Sequence, residues 1–187
     1  MFFARFFAVF FLFASFGIVT SVPSNAAVQK RQDTADIETI LNTLKSSTDS
    51  ILPQITSVGQ SGNASDTTVT PLINELKATL NTATSSLTAL QTSSRKARRQ
   101  SDDDIATLVA EILTDIADSL STLLDDAAAI PDLGSLLTGV DAALDEVLKG
   151  LEILLAGVLT LVADLLVDVA GLLSSLAFGL TLASLGL

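Results

Sequence analysis

The sequence predicts an all-α protein, a bundle of about five amphipathic to apolar helices that follows a cleaved signal peptide. Hydrophobic residues make up 49% of the 187 residues and charged residues only 17%, so the chain has ample apolar surface to bury. Leu, Ala, Ile and Val recur at helical spacing in stretches that contain few Gly or Pro residues. This combination of composition and spacing is typical of packed helices.

Several residue types that support catalysis or metal binding are missing from the sequence. It contains no Cys, His, Trp or Tyr. There is therefore no disulfide framework, no Cys or His metal site, and no thiol or imidazole for nucleophilic or acid–base chemistry. We expect no enzymatic activity, no catalytic residues, and no metal or cofactor. The net charge of -11 also argues against nucleic acid as a partner.

Residues 1–26 have the pattern of a secretory signal peptide. Arg5 supplies the positive charge, residues 6–19 form the apolar core, and a small-residue cleavage site ends at Ala26. A membrane anchor is the alternative, but the apolar run is shorter than the ~20 residues that a span needs. All but one of the Phe residues lie in this segment, so aliphatic side chains must hold the rest of the protein together.

Two dibasic pairs follow the signal peptide and are candidate processing sites. Cleavage at the first pair would remove a propeptide of residues 27–31, and the second pair closes a basic linker over residues 95–100. The alternative is that these are ordinary charged pairs on the surface. Asn63 begins a glycosylation sequon, which fits the secretory route. The candidate processing residues are Lys30, Arg31, Arg98 and Arg99.

The basic linker separates two regions of different chemistry. Residues 32–94 are rich in Ser and Thr and predicted to form a helical hairpin, and with the bases of the linker included, residues 32–99 carry six acids and six bases and are close to neutral. Residues 101–187 carry fifteen acids and one base, together with most of the Leu, and are predicted to form an acidic helical region with a hydrophobic tail. The two regions begin with similar sequences, which indicates either a weak internal duplication or two independent helix starts.

Turn and capping residues set the expected helix ends. We expect the first helix to begin around Asp33 and to end near Pro53, with a loop over residues 57–68. The second helix is expected to have Thr70 as its N-cap and Pro71 at its first position. A third amphipathic helix should follow the basic linker and end near the next proline, Pro131.

From Leu133 onward, apolar residues occupy nearly every side of the predicted helix. Polar residues fall on one line with helical spacing, and glycines are expected to break the rod or to allow close packing. Three interpretations remain open: a central helix whose thin polar face reaches water, a rod lying at an apolar–polar boundary, and membrane insertion of residues 169–187. The polar line is Asp141, Asp145, Lys149, Glu152, Asp164 and Asp168, and the glycines are Gly139, Gly150, Gly157 and Gly171.

The apolar side of this region is the candidate surface-binding site. Burial of apolar area against a hydrophobic surface is favourable by about 25 cal/mol per Å². We therefore expect these residues to mediate adhesion while the Ser/Thr-rich half faces water. The candidate residues are Leu151, Leu154, Leu155, Val158, Leu159, Val162, Leu165, Leu166, Val169, Leu172 and Leu173.

The layout as a whole resembles a family of small secreted proteins of basidiomycete fungi. The features that carry the resemblance are the signal peptide, Lys30-Arg31-Gln32, the Thr/Ser-rich segment 68–73, Arg98-Arg99-Gln100 and the Leu-rich tail 179–187. Members of that family have a hydrophilic first half and a hydrophobic second half, and they accompany hydrophobins in the hyphal wall and extracellular matrix. The first half is also similar, more faintly, to fungal hydrophobic-surface-binding proteins.

This resemblance implies a secreted, non-enzymatic protein of the fungal cell wall or matrix that mediates hyphal attachment, aerial hyphae formation or binding to hydrophobic surfaces. The expected partners are hydrophobic surfaces, hyphal wall components or further copies of the chain, with lipid as another candidate. One alternative is a helical lipid carrier with an aliphatic cavity. Another is a precursor that is cut at both dibasic sites. Without Cys the chain cannot be a hydrophobin, whose fold depends on disulfides.

Overall fold

The structure, a computed structural model, describes residues 25–62, 64–93 and 102–187. These residues form seven α-helices and one turn of 3-10 helix, and the described parts of the chain contain no β-strand, so the predicted all-α class is confirmed. Four long helices are followed by three short ones. In chain order they are α1 (Asn25–Gln60), α2 (Asp66–Ser93), α3 (Asp102–Ser121), α4 (Leu133–Leu154), α5 (Val158–Leu165), α6 (Ala170–Ser175) and α7 (Gly179–Leu185).

Helix α1 runs through Pro53 and ends at Gln60, so the prediction that it ends near Pro53 was wrong. A proline inside a helix removes one backbone hydrogen bond to the carbonyl four residues earlier, here that of Asp49. Both residues lie on the exposed side of α1, where water can bind that carbonyl. The predicted loop over residues 57–68 is accordingly shorter, because α1 continues to Gln60 and α2 begins at Asp66.

Helix α2 begins at Asp66, so the prediction of Thr70 as N-cap and Pro71 as first helical residue was also wrong. The preceding residue, Ser65, forms a reciprocal pair with Thr68. The Ser65 N–H donates to Thr68 Oγ1 at 3.0 Å, and the Thr68 N–H donates to the Ser65 carbonyl at 3.0 Å. This pair starts the helix one turn earlier than the proline suggested.

The helices pack around one aliphatic core. Helix α1 packs against α2 and α3, α2 packs against α4, and α5 and α7 lie beside α4 and complete the bundle. Because α3 contacts α5, the short helices occupy the space between α3 and α4. The core consists of Leu, Ile, Val and Ala together with one aromatic residue, Phe178, which is fully buried.

The predicted C-terminal rod is broken at three places into α4, α5, α6 and α7, and a residue with a positive φ angle stands at two of these breaks, while the third is the turn at residues 166–169. Gly157 has φ 95° and separates α4 from α5, as expected of this glycine. Ala177 has φ 60° and separates α6 from α7. Gly139 and Gly150 instead lie inside α4 against α2, where a β-carbon would meet the side chains of Lys77 and Leu87.

Gly59 marks a close approach between the end of α1 and Thr122. A β-carbon at Gly59 would lie 2.5 Å from Thr122 Oγ1 and 2.7 Å from its carbonyl oxygen. We predict that Gly59→Ala lowers the free energy of unfolding by about 1–3 kcal/mol, because backbone must move to admit the methyl group. Urea unfolding followed by circular dichroism measures this. Gly134→Ala is the matched control, since a β-carbon there meets nothing within 4 Å. An equally stable Gly59→Ala variant would contradict the close packing of α1.

Candidate surface-binding region

The eleven predicted surface-binding residues lie mostly inside the bundle. Six are buried, four are half-buried, and one, Leu165, is exposed. The buried six are Leu151, Leu155, Val158, Val162, Leu166 and Leu173, and the half-buried four are Leu154, Leu159, Val169 and Leu172. Their role in binding a surface stays a prediction, and in the closed bundle they act as core residues.

Large apolar side chains that do reach the surface are concentrated at the C-terminal end. Among the residues that the structure describes, the large hydrophobic residues that are exposed all lie at or beyond residue 153. Their exposed fractions are Ile153 69%, Leu165 52%, Val167 61%, Leu180 48% and Leu187 44%. Single exposed apolar residues are common in soluble proteins, but their restriction to the last fifth of the sequence is not. Of these five residues, the sequence predicted only Leu165, because a helix that is apolar on every side gives no periodic signal for its outer face.

Asp141 on α4 binds the start of α7. Its carboxylate is 4% exposed and accepts two backbone hydrogen bonds, from the Leu180 N–H at 3.0 Å and from the Thr181 N–H at 2.9 Å. The first N–H groups of a helix have no partner within that helix, and a carboxylate in this position satisfies them. Asp141 therefore serves as an N-terminal cap that comes from another helix.

Asp145, one turn further along α4, binds the other end of α7. One of its oxygens accepts a hydrogen bond from Ser184 Oγ. The other lies 2.6 Å from Lys149 Nζ. Asp145 is only 6% exposed, and a buried carboxylate needs such partners to offset its lost hydration. Lys149 itself is exposed, so the positive charge reaches water while the negative charge stays inside.

Glu152 performs a third binding role, at the start of α5. Its two carboxylate oxygens accept hydrogen bonds from the Gly157 N–H at 2.9 Å and from the Leu159 N–H at 3.3 Å. Three acids of the predicted polar line thus bind the short helices. The interpretation of that line as a face reaching water was wrong for Asp141 and Asp145.

The remaining acids of the line behave differently. Asp164 and Asp168 are both exposed.

The interpretation of α4 as a central helix fits, since it is covered by α2 on one side and by α5 and α7 on the other. No helix in the described ranges is both long enough and apolar enough to cross a membrane.

The contact between α4 and α7 also contains an unsatisfied polar atom. Thr181 is completely buried, and its Oγ1 has no hydrogen-bond partner. A buried hydroxyl without a partner is destabilising. The attachment of α7 is therefore weaker than its packing would allow.

Two grooves and one enclosed space among the described residues are candidate ligand sites. A groove of about 330 Å³ between α1 and α2 presents mainly small side chains, and Thr43, Thr79 and Thr82 direct their hydroxyls to carbonyls of their own helix. A more open groove of about 750 Å³ lies between α1 and α3. A third space, enclosed by leucines and valines of α1, α3 and α4, measures about 10 Å³. That is the volume of roughly one water molecule, too small for the acyl chain of a carried lipid.

The groove between α1 and α3 is lined by three acids, and two of them form ion pairs with Lys45. Lys45 Nζ lies 2.9 Å from Asp115 Oδ2 and 3.6 Å from Asp49 Oδ1. The hydrogen bond to Asp115, together with the nearby negative charges, raises the pKa of Lys45 above its usual 10.5. The pair therefore stabilises the fold below that usual value and loses its effect as the pH rises through the raised pKa. Among the described residues, no group of acids is arranged to hold a metal ion.

The candidate modification sites lie largely outside the described residues. Asn63, Arg98 and Arg99 and most of the predicted signal peptide are among the residues that the structure does not describe. Lys30 and Arg31 lie within α1. Proteases act on locally unfolded backbone, so cleavage at this pair would require the first turns of α1 to open or to be unformed at that stage.

Comparison with known proteins gives one partial relative. No protein-family model matches the chain. An 82-residue stretch is 45% identical to "Fruiting body differentiation protein 16" of the fungus Flammulina velutipes. The match covers 42% of this chain and 64% of that protein, so the chain spans less than two thirds of the relative. The expected fungal relationship is thus supported over part of the chain, and the expected association with hydrophobins stays a prediction.

We predict that Asp141→Ala weakens the attachment of α7. The change leaves two backbone N–H groups without their acceptor, and we expect the free energy of unfolding to fall by about 2–4 kcal/mol. Thermal or urea unfolding measures the loss, and amide hydrogen exchange should locate it in α7. Asp164→Ala removes an exposed acid from α5 and is the control. Equal stability of the two variants would contradict the capping role of Asp141.

Thr181→Val should have the opposite effect. The two side chains have nearly the same shape, and valine lacks the hydroxyl that has no partner. We expect the free energy of unfolding to rise by about 1 kcal/mol. Measurement of urea unfolding alongside the wild type would reveal the gain. A loss of stability would mean that the hydroxyl has a partner in solution.

Proposed function

We propose that this chain is a non-enzymatic fungal developmental protein that acts outside the cell, in the wall or matrix, by binding apolar surfaces through its C-terminal helices. The observation that carries the proposal is the confinement of the exposed large hydrophobic residues to residues 153–187. The partial relative in Flammulina velutipes supports the developmental setting, because that protein is named for fruiting body differentiation.

The distribution of polarity along the chain fits adsorption better than the binding of a compact ligand. Helices α1 and α2 present mainly Ser, Thr and Ala to water. Residues 153–187 expose five large aliphatic side chains. A protein that exposes apolar side chains in one region of its chain and polar ones in another is amphiphilic, and it lowers its free energy by orienting at the boundary between water and an apolar phase. The void of about 10 Å³ at the centre of the bundle does not favour the alternative of a lipid carrier.

The proposed binding partner is an extended apolar surface, such as the boundary between water and air, a waxy solid or a hydrophobic wall layer. An extended surface can contact several scattered side chains at once, whereas a small ligand needs a concave site. Exposed acidic residues, most of them in the same half of the chain, keep the protein hydrated and oppose uncontrolled aggregation in solution.

We predict that replacing Leu165, Val167 and Leu180 together by Ser weakens adsorption to alkyl-coated silica. These side chains are exposed, so the fold should be retained. Losing about 1 kcal/mol of contact at each position should reduce the affinity by more than roughly tenfold. Quartz-crystal microbalance measurements over a concentration series give the affinity, and a pendant drop gives the surface tension.

The control for this experiment is the triple variant Thr43→Ser, Thr82→Ser and Thr88→Ser. It removes three exposed methyl groups from α1 and α2, the helices of the Ser/Thr-rich half of the chain. It should adsorb like the wild type. If both triple variants adsorb like the wild type, the C-terminal helices are not the binding surface. If the wild type lowers surface tension no more than an ordinary soluble protein, the proposed function itself is wrong.

A further inference from the structure

Helix α7 covers part of α4, and α6 packs against α3 and α7, so that the two short helices form one uncharged segment at the side of the bundle. Residues 170–187, here termed the lid, contain no Asp, Glu, Lys or Arg. Their apolar side chains point both inward and outward. The buried ones are Leu173, Leu176, Phe178 and Leu185, and the exposed ones are Leu180 and Leu187. A helix pair that only covered a core would have a polar outer face, so the lid is more apolar than a cover needs to be.

Polar contacts between the lid and α4 are few and are concentrated on two acids. The Leu180 and Thr181 N–H groups bind Asp141, and Ser184 Oγ binds Asp145. Both acids belong to α4, and the lid returns no charged group. The fixed orientation of the lid on α4 therefore depends on two carboxylates, here termed the latch, in addition to its apolar packing.

The closed lid also contains backbone strain. Ala177, between α6 and α7, has φ 60°, in the left-handed region that favours glycine over residues with a β-carbon. The Phe178 N–H donates to the Leu173 carbonyl at 3.0 Å and fixes this turn. Because Ala177 lies within the lid, its strain persists when the lid moves as a unit, whereas the unpaired Thr181 hydroxyl gains water as a partner when α7 leaves α4.

The balance between closed and open lid depends on what surrounds the protein. In water, opening would expose the inner apolar side chains, so the lid stays closed. Against an apolar surface, the same side chains would be buried again after opening. Because the hydrophobic term follows the area removed from water, it nearly cancels between these two states. The hydrogen bonds of the latch, which favour the closed state, and the unpaired Thr181 hydroxyl, which favours the open state, then decide between the two.

We propose that the lid opens when the protein meets an apolar surface, and that its apolar inner side becomes the contact surface, while Asp141 and Asp145 on α4 turn to water. The turn at residues 166–169, which connects α5 to the lid, is the hinge. Asp141 and Asp145 are the latch that keeps the protein closed in water. This proposal rests on the proposed function and specifies how that function is held in check.

The test is to fasten the lid covalently. The chain has no cysteine, so Asp145→Cys with Ser184→Cys creates a single pair, at two side chains in direct contact. The pair is closed with a short reducible thiol cross-linker and reopened with dithiothreitol. Comparison of the two states in the same full-length variant removes the effect of the substitutions themselves. The measurement is the rate of adsorption to alkyl-coated silica and the fall in surface tension.

A second fastened pair serves as the control. Leu87→Cys with Gly150→Cys joins α2 to α4 on the side away from the lid, where a β-carbon at Gly150 lies 3.5 Å from Leu87 Cβ. If the lid opens, fastening it should slow adsorption at least roughly tenfold and reduction should restore the rate, because the binding-competent state is removed and then returned. Fastening α2 to α4 should leave the rate unchanged.

The outcomes separate the lid from the function. Equal adsorption by the fastened and reduced forms of the lid variant would overturn the opening of the lid while leaving the proposed function intact. Adsorption by none of the proteins, the wild type included, would overturn both. Equal slowing by both cross-links would show that overall unfolding at the surface, and not the lid, controls adsorption, which also overturns the proposal.

A variant that loosens the latch supplies an independent test. Asp141→Asn keeps the shape of the side chain but turns an NH₂ group toward one of the two backbone N–H groups. We expect faster adsorption and faster amide exchange in α7, each by several-fold. Asp164→Asn changes charge equally at an exposed site and should alter neither rate. Unchanged adsorption of Asp141→Asn despite faster exchange in α7 would contradict the role of the lid.

Discussion

The constraint on which the structure depends is that α4 is apolar on nearly every side. Such a helix is stable in water only if other helices cover most of its surface. Helix α2 covers one side, and the chain that follows α4 covers another with α5 and α7. Because this part of the chain is broken at Gly157 and Ala177, it can fold back as short helices instead of continuing away from the bundle.

Apolar packing alone would not fix where those short helices lie. Leucines and valines can interdigitate in many ways at similar free energy, particularly in a core with a single aromatic residue and no disulfide. Asp141, Asp145 and Glu152 limit the choice, because a buried carboxylate is tolerated only where donors meet it. The start of α7 and the start of α5 supply those donors. The three acids thus specify one arrangement of a region that is otherwise uniformly aliphatic.

The C-terminal region therefore has a defined position in the protein but can also pack against another apolar environment. Its packing energy is non-directional and is available wherever water is excluded, inside the protein or at an apolar surface. Its directional contacts are few and lie in the interior near α7. A protein built in this way can remain folded and hydrated in solution and still offer much apolar area at a boundary. The Ser- and Thr-rich hairpin, by contrast, gains little from leaving water.

The sequence by itself determined the helical class and the split into a polar and an apolar half, because these follow from periodicity and composition, but it left the central position of α4 as one of three interpretations. It did not determine the helix ends at Gln60 and Asp66. There, exposed prolines are tolerated and a Ser–Thr pair forms the cap. Nor could it distinguish Asp141 from Asp164, which lie on the same helical line. Only the tertiary structure decided that the first is buried against α7 and the second faces water, because a carboxylate's surroundings depend on where a distant part of the chain returns.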